Sequence, residues 1–262
     1  MRLKLQIQYE GTHYNGWQVQ PEGQTIQGIL QECIYRLTGE MVKVTAAGRT
    51  DAGVHAIEQV VTFETTSRHT ADVFKRAINA MLPEDIRIMK AELVEEGFHA
   101  RYSAASKRYV YMIANNEDLP VFLRRYVWWI RIPLDFDSMI TASKFLIGTH
   151  DFSSFRGSGC GAKSTIRTIY SINVEKMNST PFIFTEFKGN FIKVTIEAEA
   201  FLRHMVRNIV GTLVEVGKGR LGPDVVKDIL NAKNRKFAGP TAPSQGLFLE
   251  RVIYPQTLQK LS

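Results

Sequence analysis

The chain opens on a strict alternation. Leu3, Leu5 and Ile7 take every second place between polar neighbours, the period of a strand with one buried face. A turn-rich segment, Glu10-Gly11-Thr12-His13-Tyr14-Asn15-Gly16, interrupts it. The spacing then becomes helical: Ile26, Ile29, Leu30, Cys33, Ile34 and Leu37 fall at i, i+3, i+4, i+7, i+8 and i+11, and Gly39 stands where the helix stops. Short strands are predicted at 41–44 and 59–63. A second helix runs through Val73, Phe74, Ala77, Ile78 and Met81 until Pro83 ends it, and Ile86 and Ile88 mark a further strand. The first hundred residues read β-α-β-β-α-β.

The remainder follows that order more loosely. Tyr109, Tyr111 and Ile113 alternate as a strand, and Met139, Ile140, Ala142, Leu146 and Ile147 have helical spacing. Strands are predicted at 166–174, 182–187 and 191–198, helices at 205–216 and 225–230, and a closing strand at 247–254. Pro223 suits the approach to the last helix. A β-α-β-β-α-β order lays helices on one face of an antiparallel sheet, the ferredoxin-like arrangement. The expected fold is therefore α+β: two ferredoxin-like units forming an extended antiparallel sheet with helices on one face and a central active-site cleft. The expected domains are 1–103 and 104–262.

Composition narrows the class. With 44% apolar and 23% charged residues in 262, the chain is a globular protein and not a disordered, collagenous or coiled-coil one. Two cysteines, Cys33 and Cys160, cannot build a disulfide framework, so a reducing cytoplasm is the expected compartment. The alternating N-terminus is unlike the continuous apolar core of a signal peptide, and no apolar run reaches membrane-spanning length. The net charge of +7 is unevenly placed. Residues 1–100 carry ten basic and thirteen acidic groups, whereas 101–262 carry 23 and 13. Such asymmetry points to a polyanionic partner, most often nucleic acid, although many small-ligand enzymes are equally basic.

Candidate chemistry lies in a few segments. Gly157-Ser158-Gly159-Cys160-Gly161-Ala162-Lys163-Ser164 lacks the adjacent Gly-Lys and the leading strand of a phosphate loop, and reads as a basic surface loop. Cys160 has no assignable activating base. The six histidines are scattered without metal-ligand spacing, so no metal is expected. In Ala46-Ala47-Gly48-Arg49-Thr50-Asp51-Ala52-Gly53-Val54-His55-Ala56, small residues bracket one Arg and one Asp. Asp51 there suits a nucleophile or base, or else a turn residue bonded to its own backbone. Lys107-Arg108-Tyr109-Val110-Tyr111 sets cations beside aromatics that share one strand face. That is a pattern for stacking on extruded bases or for covering a core edge. Arg203, His204 and Arg207 gather where a helix begins; cations there oppose the helix dipole, so a phosphate-facing role competes with a structural one.

Together these segments resemble the TruA-type tRNA pseudouridine synthase family over nearly the whole chain. The matching runs are Gly48-Arg49-Thr50-Asp51-Ala52-Gly53-Val54-His55; Tyr9-Glu10-Gly11 with Tyr14-Asn15-Gly16-Trp17-Gln18; Phe98-His99-Ala100-Arg101; Met205-Val206-Arg207 with Gly211; and Gly246-Leu247-Phe248-Leu249. Glu10 stands where that family's pattern has Asp. The resemblance implies isomerisation of uridine to pseudouridine at positions 38, 39 and 40 of the tRNA anticodon stem-loop, without cofactor or metal. It implies that Asp51 is the catalytic carboxylate, that Arg49 helps hold the flipped base out, and that Tyr109 packs on that base. By the same resemblance Arg207 is the carboxylate's basic partner, Leu247 lines the uracil pocket, and the protein is a homodimer. Lys107, Arg108, Arg203 and His204 are the RNA-backbone candidates. A non-catalytic RNA-binding module and a metal-free hydrolase using Asp51 are the competing classes.

Overall fold

Side-chain alternation sets the first strand, β1 (Arg2–Tyr9), whose Leu3, Leu5, Ile7 and Tyr9 are all buried. The computed structural model describes residues 1–255, which divide into two compact units: Met1–Lys107 together with the chain from Phe248 onward, and Arg108–Leu247. In the first unit, helix α1 (Ile26–Thr38) starts where the Thr25 hydroxyl accepts from the Gly28 N–H at 3.3 Å, and ends at Gly39 in the left-handed conformation. Strands β2 (Thr45–Ala46) and β3 (His55–Glu64) follow, then helix α2 (Ala71–Met81), capped by Thr70, and strand β4 (Ile86–Val94). These strands lie in the order β4-β1-β3-β2, every pair antiparallel. Leu30, Ile34, Phe63, Phe74 and Ile78 form core that is fully or almost fully buried, each side chain contributing roughly 1.5–3 kcal/mol. The Asn79 side chain both donates to and accepts from the backbone of Ile88, which fixes α2 on β4.

The strand predicted at 41–44 lies instead at Thr45–Ala46. Val42 and Val44 are buried as an alternating strand requires, but Gln31 and Gln27 of α1 donate to their carbonyls, both at 2.9 Å. Helix side chains thus take bonds that a sheet ladder would have used.

The second unit begins along β5 (Ser106–Ala114), to which the short β6 (Trp128–Trp129) pairs in parallel. Helix α3 (Phe136–Lys144), strand β7 (Gly148–Asp151), long strands β8 (Ile166–Phe182) and β9 (Thr185–Ala198), and helices α4 (Met205–Gly217) and α5 (Val225–Ala232) complete it. Its strand order is β5-β9-β8-β7. Helix α4 is buried along most of its length. Its Gly211 is packed so closely that a Cβ there would sit 1.7 Å from the Pro240 carbonyl oxygen. Asn208 is a buried hub: Nδ2 donates to Phe155 O at 2.8 Å, and Oδ1 accepts from Arg235 and Thr241.

Two predicted elements change here. The strand expected at 182–187 is broken at Ile183 and Phe184, the turn of the β8–β9 hairpin, with Phe182 paired to Thr185, Ile183 at φ 51°, and the two turn residues 89% and 90% exposed, while 185–187 continue in β9. An apolar run resembles a strand, but a two-residue hairpin turn demands a positive φ whatever residue supplies it. The helix expected to include Leu146 and Ile147 stops at Lys144.

Strand β10 (Leu247–Ile253) returns the chain to the first unit, where it runs parallel to β3 with Phe248 opposite His55 and Leu249 opposite Ala56. The expected all-antiparallel sheet is therefore corrected to a mixed one. A tight turn forces antiparallel pairing; a strand delivered after an entire intervening unit is under no such constraint. The Ala105 N–H donates to Ile253 O at 2.8 Å and the Tyr254 hydroxyl to Ala100 O at 2.7 Å, so this closing segment is tied to the first unit. No helix of the described residues is long and apolar enough to cross a membrane.

Candidate active site

Residues 47–54 connect β2 to β3 and carry Arg49 and Asp51. Burial alternates through this loop: Thr50 is buried, Arg49 exposed and Asp51 half-buried. Thr50 is thus an internal anchor that presents its two charged neighbours outward. Its hydroxyl lies 2.8 Å from the Tyr9 hydroxyl, and its carbonyl accepts from the Trp17 N–H at 3.0 Å. Before it, the Gly48 carbonyl accepts from Gln59 Nε2 at 2.8 Å. After it, the Val54 N–H donates to Asp51 O at 3.2 Å and the Gly53 N–H to Tyr14 O at 3.3 Å.

The turn-rich segment after β1 is the frame for this loop. The Glu10 N–H donates to Asp85 O at 2.9 Å, and the Tyr14 hydroxyl donates to the Asp85 carboxylate; burial and that carboxylate push the phenol pKa well up. Gly16 adopts φ 84°, and a Cβ there would lie 2.6 Å from Thr50 O and 2.9 Å from the Asp51 carbonyl carbon. Both the dihedral and the close approach require glycine. The Gly16 and Trp17 carbonyls then accept from the first N–H groups of α1, those of Ile26 and Gln27, at 3.2 and 3.0 Å. Trp17 thereby joins a helix terminus to the Asp51 loop through its own two backbone groups.

His55, the last residue of the signature run, is buried and accepts from the Gly11 N–H at Nδ1, 3.0 Å away, which leaves the ring proton on Nε2. Glu10 Oε1 lies 3.3 Å from the same nitrogen, but an accepting Nδ1 has no proton to give it. That carboxylate instead accepts from the Thr12 N–H and hydroxyl. The His55 ring stacks on Phe248 with centroids 4.8 Å apart.

Lys107 also belongs to the first unit. It is 6% exposed, and burial together with the nearby Arg101 guanidinium lowers its pKa to about 8. Its surroundings are those of a buried amine rather than of an exposed cation.

In the second unit Tyr109 is buried with its ring edge-on to Phe201, centroids 5.0 Å apart. Arg108 lays Nε and Nη2 on one carboxylate oxygen of Glu197, at 3.0 and 2.8 Å. Arg207 Nε donates to Ala242 O at 2.7 Å, and the Ala242 N–H returns a bond to Arg207 O. The Tyr111 hydroxyl donates to the adjacent Pro243 O at 2.7 Å, and burial raises its pKa while Arg207 opposes that rise. Residues 242–243, in the segment before β10, therefore bond both Arg207 and Tyr111, a convergence the sequence did not announce.

Arg203 holds the start of the 157–164 loop. The Gly157 N–H donates to Arg203 O at 2.7 Å, and Arg203 Nη1 donates to Ser158 O at 3.1 Å. His204 begins α4 in the left-handed region at φ 60°. The basic loop of unassigned role is thus docked on the residues singled out at the start of that helix.

Sequence reasoning missed Tyr9 and Gln59 as supports of the Asp51 loop. The available signal was a polar group at a core-facing position of each strand.

Comparison with known proteins identifies the family. Residues 6–103 and 142–255 match the family model described as tRNA pseudouridine synthase. The chain is 46% identical over 252 residues to tRNA pseudouridine synthase A of Thermoanaerobacter sp. (strain X514), covering 96% of this chain and 99% of the relative. It is 42% identical over 254 residues to proteins of the same name from Thermodesulfovibrio yellowstonii and Coxiella burnetii, covering 97% of this chain and 100% and 93% of theirs. By matched extent and identity, this chain belongs to the tRNA pseudouridine synthase family.

Proposed function

We propose that the protein isomerises uridine to pseudouridine at positions 38, 39 and 40 of the tRNA anticodon stem-loop, with Asp51 as its catalytic carboxylate. The observation that carries this reading is the 47–54 loop, in which the backbone is bonded on both sides of Arg49 and Asp51 is left half-buried. The reaction breaks the bond between uracil N1 and ribose C1′, turns the base and joins C5 to C1′. The C5 proton is lost and N1 gains one, so the composition of the RNA is unchanged. Asp51 either attacks C1′ or removes the 2′ proton; each route asks for a carboxylate held against the sugar. Removing a stacked base from a stem costs a few kcal/mol. Arg49, exposed beside Asp51, suits the task of holding that base out.

The remaining roles follow the family resemblance. Tyr109 packs on the flipped base, Arg207 supplies the cation, and Leu247 lines the uracil site. Arg203 and His204 contact the RNA backbone. Arg108, held by Glu197, and buried Lys107 are placed less well for that. The ferredoxin-like reading is supported in the first unit by its β-α-β-β-α-β order and its antiparallel β4-β1-β3-β2 arrangement. By resemblance the protein works as a homodimer, a state light scattering reads directly, and in the cytoplasm where its substrate is made.

The test is to incubate the protein with an anticodon stem-loop carrying C5-tritiated uridine at positions 38 to 40, then map the product. Tritium release with unchanged RNA mass and pseudouridine at those positions is expected. Binding without release would make the chain an RNA-binding module, and a shortened RNA or free base would make it a hydrolase.

A further inference from the structure

We propose that Tyr9 and Gln59 are positioning residues for Asp51, gripping the loop backbone and side chain on either side of Arg49. The proposal rests on the reading of Asp51 as the catalytic carboxylate.

Gln59 is 0% exposed and lies on β3, on the face that also carries buried Val61 and Phe63. A polar side chain at such a place lowers stability unless its hydrogen bonds are met. Gln59 meets only part of them. Its Nε2 donates to Gly48 O at 2.8 Å and, at a longer 3.4 Å, to the Tyr9 hydroxyl, while its buried Oε1 has no hydrogen-bond partner. The amide cannot turn over to relieve Oε1, because that oxygen would then face the Gly48 carbonyl, which only accepts. An orphaned buried acceptor costs roughly 1–3 kcal/mol. A leucine or methionine would fill the same space without that cost. What the glutamine adds is the bond to Gly48.

Tyr9 repeats the logic on the neighbouring strand. It ends the buried face of β1, where the ladder to β3 slips so that Ile7 faces Gln59 and Tyr9 faces Ala56. Its hydroxyl reaches Thr50 Oγ1 at 2.8 Å. Burial raises its pKa to about 12, so the phenol keeps its proton at neutral pH. With Gln59 donating to the phenol oxygen, the phenol proton is available to Thr50. The two side chains hold Gly48 and Thr50, and Asp51 is the next residue along. A misplacement of about 1 Å at a reacting group costs on the order of 100-fold in rate, which is the scale such a clamp protects.

The experiment compares Gln59→Met, Tyr9→Phe and their double variant with Asp51→Ala. Each is read by tritium release at saturating enzyme in a single turnover, by tRNA dissociation constant, and by melting temperature. Both single variants should lose roughly 10- to 100-fold in the saturated rate, with tRNA affinity near wild type and rate losses that do not track melting temperature. The double variant should lose no more than the product of the singles, because both hold one loop. Wild-type rates in Gln59→Met and Tyr9→Phe overturn the proposal, as do rate losses explained by weaker binding or by melting. Should Gln59→Met fail to fold, Tyr9→Phe, which removes one oxygen atom, carries the same readouts. If Asp51→Ala retains turnover, the catalytic reading itself fails; if it is inactive while Tyr9→Phe and Gln59→Met are unimpaired, only the positioning role fails.

Discussion

Two glycine-rich loops, each with a basic residue, are built in opposite ways. Residues 47–54 are bonded from β1, β3 and the segment before α1: Gly48 by Gln59, Thr50 by Tyr9 and Trp17, and Gly53 by Tyr14. Residues 157–164 are bonded near their start, where Gly157 and Ser158 meet Arg203, while Gly161 has open space where a Cβ would stand. The same residue type therefore does different work. Against the first loop Gly16 admits close backbone contact with Thr50 and Asp51; in the second Gly157 lies against the His204 ring while Gly161 stands in open space. Over-determined backbone suits a group that must be placed to within an ångström, and a tethered basic loop suits a surface that follows a polyanion.

The comparison makes graded predictions. Asp51→Ala should abolish tritium release while tRNA binding stays within a few-fold of wild type; any turnover would remove the loop's claim to the chemistry. Gly16→Ala imposes both a positive φ on alanine and a clash with Thr50 O. It should cost roughly 2–4 kcal/mol in denaturant unfolding and slow turnover beyond what the lost folded fraction explains. Arg203→Ala should leave the saturated rate intact and reduce the slope of log affinity against log salt by about one. An unchanged slope would confine Arg203 to holding Ser158. Gly161→Ala, the counterpart of Gly16→Ala, should shift stability by less than about 1 kcal/mol, in either direction. A larger loss would show the second loop to be as tightly specified as the first.

How far the sequence could be read depended on where each bond partner sits along the chain. Strand β1 and helices α1 and α2 were legible because alternation, helical spacing, Gly39 and Pro83 are local signals. The strand expected at 41–44 was displaced by Gln27 and Gln31, whose bonds to Val44 and Val42 no local pattern reveals. The turn at Ile183 and Phe184 was hidden by its apolar residues. At the candidate site, the glycines, Arg49 and Asp51 were conspicuous in the sequence. Their supports, Tyr9 and Gln59, looked like ordinary strand residues, and nothing local set Arg207 and Tyr111 against the 242–243 carbonyls.

By itself the sequence determined the α+β class, most of the helices and strands, the carboxylate-bearing loop and the family. Periodicity, helix stops and a contiguous motif are all written along the chain. Only the tertiary structure decided the parallel β10–β3 pairing, the burial of Lys107 and the clamp of Tyr9 and Gln59 on Gly48 and Thr50. Those depend on groups distant in sequence and adjacent in space, where an unmet hydrogen bond or a desolvated charge acquires a cost that no single segment records.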